Sequence, residues 1–122
     1  MDLNEDTRIT AQLLGRALRK ESYVRDYLHA AEQVEADTEA SALEARLFSL
    51  FNQLTQRQQA GEQLTRQEVD AFYTLRRQVQ ANPHVAERDS VLQALKPYLA
   101  EIADEISSAL GVDYIGLAKA EQ

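Results

Sequence analysis

The sequence contains no cysteine and only four glycines and two prolines among its 122 residues. Without cysteine, the chain can form no disulfide, no zinc–thiolate site and no iron–sulfur cluster held by its own thiolates. Because glycine and proline are scarce, few residues interrupt helices, while the good helix formers alanine, leucine, glutamate, glutamine and arginine dominate. The composition therefore predicts an all-α fold before any periodicity is considered.

The sequence also lacks long apolar runs and an excess of positive charge. No run approaches the ~20 apolar residues that a membrane-spanning helix needs. The acidic start Met1–Asp6 lacks the apolar segment of a signal peptide. A formal net charge of -7 argues against nonspecific nucleic-acid binding, which needs a cationic surface. We expect a cytoplasmic protein that neither enters a membrane nor binds nucleic acid over a broad surface.

Apolar periodicity predicts one helical domain over residues 1–122. It is a bundle of about four to five helices with one long central helix or helix pair and no sheet. A flexible start over 1–6 precedes helices over 7–20, 22–60, 65–81 and 83–110, the last kinked at Pro97, and a tail over 112–122.

Three short signals define these helix ends. Thr65 and Glu68 have the spacing of a capping box, and Gly61 suits the residue just after a helix. Asn82 and Pro83 suit the cap and first residue of the last helix.

The segment 22–60 is the longest predicted element. As one helix it would span about 57 Å, more than the ~35 Å expected for a compact domain of this length. It would then need partners along its length, and a second copy of the chain is one candidate. We favour continuity because no glycine or proline enforces a stop, but a break with Asp37 or Ser41 as the new helix start remains open.

Apolar residues of this segment are the candidate interface. They could equally form the core of the chain itself. The candidate residues are Val34, Leu43, Leu47, Phe48, Phe51 and Leu54.

Several short motifs, taken in order, resemble those of the YlbF/YmcA family of small bacterial helical proteins. No single motif is specific for the family, but the succession of all of them in this order and at compatible spacing is specific. The matching segments are Ala11–Gly15, Ser22–Tyr27, Val34–Ala40, Phe51–Gly61, Leu64–Glu68, Val79–Val85 and Ile102–Asp113.

This resemblance implies an all-α regulatory protein that self-associates as a homodimer or higher homo-oligomer. It implies no enzymatic activity, and we expect this chain to bind no cofactor. It further implies action through protein partners, in a complex that affects RNA processing by RNase Y and, through it, biofilm formation and competence. Some such complexes carry iron–sulfur clusters bound through cysteines, a property that this cysteine-free chain cannot share.

Two other functions are weighed against the interaction module. A ligand- or metal-binding bundle would use His29, Glu32, Glu35 and Glu39, although di-metal helical sites normally repeat a Glu-x-x-His motif that is missing here. Direct RNA binding would use a local basic surface, for which the candidates are Arg16, Arg19, Lys20, Arg76, Arg77 and Arg88. No nucleophile elbow or phosphate-binding glycine loop occurs, so the sequence offers no catalytic motif.

Overall fold

The computed structural model describes residues 2–119, and these form helices without any strand. The helices of this part of the chain are α1 (Glu5–Arg19), α2 (Ser22–Ala36), α3 (Thr38–Gln59), α4 (Arg66–Ala81), α5 (Pro83–Leu110) and α6 (Tyr114–Ala118). The predicted all-α class is confirmed, with more helices than the four to five expected. No helix in residues 2–119 is long and apolar enough to cross a membrane.

Internal contacts divide the chain into two compact units. One is Leu28–Asp89, and the other is formed by the segments on either side of it. The single domain over 1–122 therefore stays a prediction.

The hydrophobic core of the Leu28–Asp89 unit is small. Its fully buried residues come from α2, α3, α4 and α5, and Val85 is the most deeply buried large side chain, at 1% exposure. Leu43 and Leu47 pack against this cluster while remaining partly exposed. The cluster itself is Val34, Ala40, Val79 and Val85.

The predicted continuous helix over 22–60 is wrong, because the chain breaks at Asp37. There the backbone is extended, with φ -85° and ψ 112°, and the Asp37 carboxylate accepts hydrogen bonds from the amides of Glu39 and Ala40. The Asp37 side chain caps α3, and its hydrogen bonds replace the backbone hydrogen bonds that a continuous helix would form at this position. The alternative start at Asp37 is the one that the structure adopts.

Two further side chains stabilise this break. The Ser41 hydroxyl lies 3.2 Å from the carbonyl oxygens of both Val34 and Glu35, in the last turn of α2, where carbonyls lack a regular helical partner. The Val34 carbonyl also accepts from the Asp37 amide at 3.3 Å. The imidazole Nε2 of His84 lies 3.6 Å from the Asp37 carboxylate. No glycine or proline is needed, since side chains satisfy the free backbone groups on both sides.

The α3–α4 connection uses the predicted signals. Gly61 adopts φ +86°, its amide donates to the Gln58 carbonyl, and the Glu62 amide donates to the Arg57 carbonyl, which together form a Schellman motif. The predicted capping box of Thr65 and Glu68 is confirmed by both of its hydrogen bonds.

The turn between α4 and α5 depends on one buried amide. The side-chain oxygen of Asn82 accepts from the amides of His84 and Val85, and its own backbone amide donates to Val79. Asn82 is only 7% exposed, so these bonds satisfy a polar group that would otherwise be costly to bury. The predicted role of Asn82 as cap, with Pro83 first in the helix, is confirmed.

The other unit contains α1 and α6, together with segments of α2 and α5. The rings of Tyr23 and Tyr98 lie 5.4 Å apart between their centroids. Partial desolvation and the nearby Glu21 carboxylate raise the pKa of Tyr98 above its usual value.

Pro97 lies inside α5, and the predicted tail contains the short helix α6. Residues 120–122 of that predicted tail lie outside the described part of the chain.

We expect Asp37→Ala to lower the free energy of unfolding by about 1 kcal/mol, the usual cost of losing a cap. If α2 and α3 were one helix in solution, the same change would be stabilising, because alanine is the better helix former. Urea unfolding measures the sign, and Thr38→Ala, at an exposed position beside the cap, is the matched control.

Val85→Ala should cost about 2 kcal/mol, through lost apolar burial and the cavity that remains. The exposed Val112→Ala control should change stability by less than about 0.5 kcal/mol. Equal effects of the two substitutions in urea unfolding would contradict the assigned core.

Candidate protein-interaction surface

The α3–α4 pair carries the most prominent exposed apolar side chains of the Leu28–Asp89 unit. We call this the aromatic surface. Its residues are Leu47, Phe48, Phe51, Phe72 and Tyr73.

Three of the rings on this surface are unusually exposed. Phe48 is 68% exposed, Phe51 53% and Tyr73 47%. Burial of one such side chain is worth roughly 1.5–3 kcal/mol, so leaving three of them in water gives up considerable stabilisation. Contiguous exposed aromatic residues of this kind mark binding surfaces in soluble proteins.

The rings form a shallow groove rather than a flat patch. The centroids of Phe51 and Phe72 are 6.1 Å apart, and those of Phe72 and Tyr73 are 5.4 Å apart with the rings edge to face. Two adjoining depressions of about 250 and 270 Å³ share Phe51 and Phe72. One extends towards Leu64 and Val69, and the other towards Leu47 and Phe48.

Ion pairs fix the two helices that carry the groove. Arg57 of α3 binds the Glu68 carboxylate at the start of α4, and its Nε lies 3.3 Å from Glu62 in the connection. Beside the second depression, which Glu44 lines, the Arg88 guanidinium makes a bidentate contact with the Glu44 carboxylate, at 2.9 and 2.5 Å. This pairing raises the pKa of Arg88 further above its usual range. The surface is therefore held in place by α3, α4 and the first turns of α5.

One charged side chain beside the groove differs from the rest. Arg76 lines the depression next to Glu44 and Phe48. No carboxylate in residues 2–119 lies within 4 Å of its guanidinium, whereas Glu44 is already bound by Arg88. The groove thus combines an aromatic floor with an uncompensated positive charge at its edge.

The six residues predicted as an interface do not share one environment. Val34 and Leu54 are buried, at 3% and 8% exposure, and serve the chain's own packing. Leu43 and Leu47 are partly buried against the core. Only Phe48 and Phe51 project into solvent. The interface assignment stays a prediction, and its exposed part is these two rings.

Sequence reasoning missed the contribution of α4. Phe72, Tyr73 and Arg76 complete the surface, yet the predicted interface contained no residue of α4. Adjacent helical residues point about 100° apart, so Phe72 and Tyr73 cannot both face one core. That adjacency was the signal available in the sequence.

The residues of the metal hypothesis are not assembled into a ligand set. His29, Glu32 and Glu35 lie on α2, whereas Glu39 follows the break at Asp37 and lies on α3. In the described range 2–119, no three His, Cys, Asp or Glu side chains are grouped so that they could hold a metal ion.

The basic residues of the RNA hypothesis are also divided. Arg88 is neutralised by Glu44 and Asp89, and Arg77 donates to the Thr74 hydroxyl at 3.2 Å. Direct RNA binding stays the alternative that the sequence disfavours.

Comparison with known proteins gives two matches. The family model described as "Control of competence regulator ComK, YlbF/YmcA" matches residues 9–111. A solved structure, a protein of unknown function (DUF964) from Bacillus stearothermophilus, is similar with a TM-score of 0.62 and 19% identity over 97% of this chain and 100% of that one. A search of curated proteins found no match.

The structural similarity, at this identity, supports the fold alone. The family model covers most of the chain, including α3, α4 and the aromatic surface that they carry. The chain therefore belongs to the YlbF/YmcA family of competence regulators.

Proposed function

We propose that this protein is a non-enzymatic regulatory adaptor that binds a protein partner through the aromatic surface, in the cytoplasm. The observation that carries the proposal is the exposure of Phe48, Phe51 and Tyr73 around one groove. Buried aromatic anchors dominate the energy of protein interfaces, and here three of them are available before any partner binds.

The shape of the groove indicates the form of the partner. A groove between two helices with an apolar floor suits the apolar face of an amphipathic helix. The free charge of Arg76 at its edge favours a partner helix with a carboxylate beside its apolar face. Leu47 supports the groove from the core side, so the recognition elements are the rings above it.

The pathway part of the proposal comes from the family. Its description names control of the competence regulator ComK. We propose that the adaptor acts as one subunit of a complex that influences RNA processing by RNase Y. This role needs no cluster bound by the chain, which has no cysteine.

Self-association is part of the same proposal. Large apolar side chains are exposed in each of the two units, among them Leu13 at 57% in one and Phe48 at 68% in the other. Exposed apolar side chains that lie together mark contact surfaces between protein chains. We propose that the working form is a homodimer or a higher homo-oligomer.

The test is a gene deletion in the bacterium that carries this protein, restored with variants. Phe48→Asp with Phe51→Asp should fail to restore regulation, since losing two anchor rings lowers partner affinity by about tenfold or more. Asn52→Asp with Gln56→Asp adds the same charge at exposed positions outside the groove and should restore it.

Helix content and the unfolding midpoint of both double variants should match the wild type, because no buried residue is changed. Mapping of transcript 5′ ends measures regulation. Full restoration by the aromatic double variant would contradict the surface, and unchanged transcript ends in the deletion strain would contradict the RNase Y link.

A further inference from the structure

Helix α1 has no buried residue along its whole length. Three of its four large apolar side chains are open to solvent, with Ile9 46% exposed, Leu13 57% and Leu14 40%, and Leu18 is partly exposed. The aromatic surface of α3 and α4 is a different feature, so α1 needs an explanation of its own.

Exposure of this kind is inconsistent with a stable isolated helix. Helices of about 15 residues are marginal in water even in alanine-rich sequences. Gly15 inside α1 costs up to about 1 kcal/mol more, and no atom lies within 4 Å of where its side chain would begin. A covering partner would supply the stabilisation that α1 lacks.

One side of α1 forms a stripe that is apolar over the second half of the helix. At 100° per residue, Leu13, Leu14 and Ala17 lie on this side together with the polar Asp6 and Thr10 of the first half. The Thr10 hydroxyl donates to the Asp6 carbonyl at 2.9 Å, so it can be covered without losing a hydrogen bond. Gly15 lies outside this stripe.

One edge of the stripe carries opposite charges at its two ends. Glu5 lies at the start of this edge, whereas Arg16 and Lys20 lie at its end, with Ile9 between them. Within residues 2–119, none of these three side chains forms a salt bridge, because no oppositely charged group lies within 4 Å of it. From the start of α1 to its end, this edge is therefore first acidic and then basic.

Such an edge is complementary to itself when two helices run in opposite directions. In an antiparallel pair, like edges meet, so Glu5 of one helix faces Arg16 and Lys20 of the other, and two-fold symmetry repeats the contact. A parallel pair would leave these charges unmatched and align the helix dipoles.

We infer that α1 packs antiparallel against α1 of a second copy of this chain. The inference rests on the self-association in the proposed function and names its contact. The contact uses no residue of the aromatic surface, and a dimer contains two such surfaces, one in each chain. Two 15-residue helices form a contact at the small end of specific interfaces, so we expect a dissociation constant on the order of micromolar.

Light scattering after size exclusion, over a dilution series of the full chain, tests the contact. Wild type should be a dimer at high concentration, and Leu13→Asp a monomer with the other helices intact by circular dichroism. Phe48→Asp is the control and should remain a dimer. A wild type that is monomeric throughout, or a dimer lost with Phe48→Asp and kept with Leu13→Asp, would overturn the inference.

Charge exchange tests the orientation. Glu5→Lys and Arg16→Glu should each weaken the dimer, by about tenfold because each change affects two symmetric contacts. The triple variant Glu5→Lys, Arg16→Glu, Lys20→Glu, which exchanges all three charges, should restore it. A triple variant as weak as the single ones would overturn the antiparallel pairing.

The absence of native cysteine permits a second, independent test of orientation. Asp6 and Ala17 both lie on the stripe and are opposite each other in the antiparallel register. An Asp6→Cys chain mixed with an Ala17→Cys chain should form the mixed disulfide under mild oxidation, and neither chain should cross-link with itself. Self-linked Asp6→Cys dimers would show a parallel pair and overturn the inference.

Neither of the two orientation tests changes a residue of α3 or α4. If they fail, the aromatic surface is still judged by its own experiment.

Discussion

The Asp37 cap is the interaction on which the Leu28–Asp89 unit depends. It ends α2 and starts α3, and the change of direction lets Val34 and Ala40 enter the same core. His84 and Ser41 lie at the same junction and bind the groups that the break exposes. With an uninterrupted helix, residues Val34 and Leu43 would face nearly opposite directions, because nine residues turn a helix by about 180° beyond full turns. The break removes that conflict.

The small size of the core follows from the same geometry and has a functional consequence. Alanine and valine dominate the buried cluster, so α2–α5 meet through small side chains. The larger aromatic residues of α3 and α4 are then left at the outside, where Phe51 and Phe72 form the groove. Ion pairs of Arg57 and Arg88 hold these helices without covering the rings. A rigid support with an exposed apolar groove is what an adaptor needs, since little ordering is required on binding.

The two apolar surfaces have different chemical characters, which suits them to different partners. The α3–α4 groove is concave and aromatic, with the unpaired Arg76 at its edge, and its charges do not repeat symmetrically. The α1 stripe is convex, aliphatic and flanked by charges that reverse along its length. The first favours a foreign helix and the second favours another copy of α1. A dimer built in this way would bind a multivalent complex more tightly than a monomer, through the high effective concentration of its second groove.

The sequence by itself determined the helical class, the family and those helix ends that depend on local chemistry. Gly61, the Thr65–Glu68 box and Asn82-Pro83 act through neighbours only a few residues away, so their spacing is sufficient to predict them. Tertiary structure decided the break at Asp37, because the sequence allowed both a continuous helix and a capped restart. The contacts of Ser41, His84 and the shared core accompany the restart. Tertiary structure also decided which apolar residues of α3 and α4 are covered. Val34 and Leu54 are buried, while Phe48 and Phe51 are exposed. The sequence shows which side chains are apolar, but burial depends on which helices pack against each face.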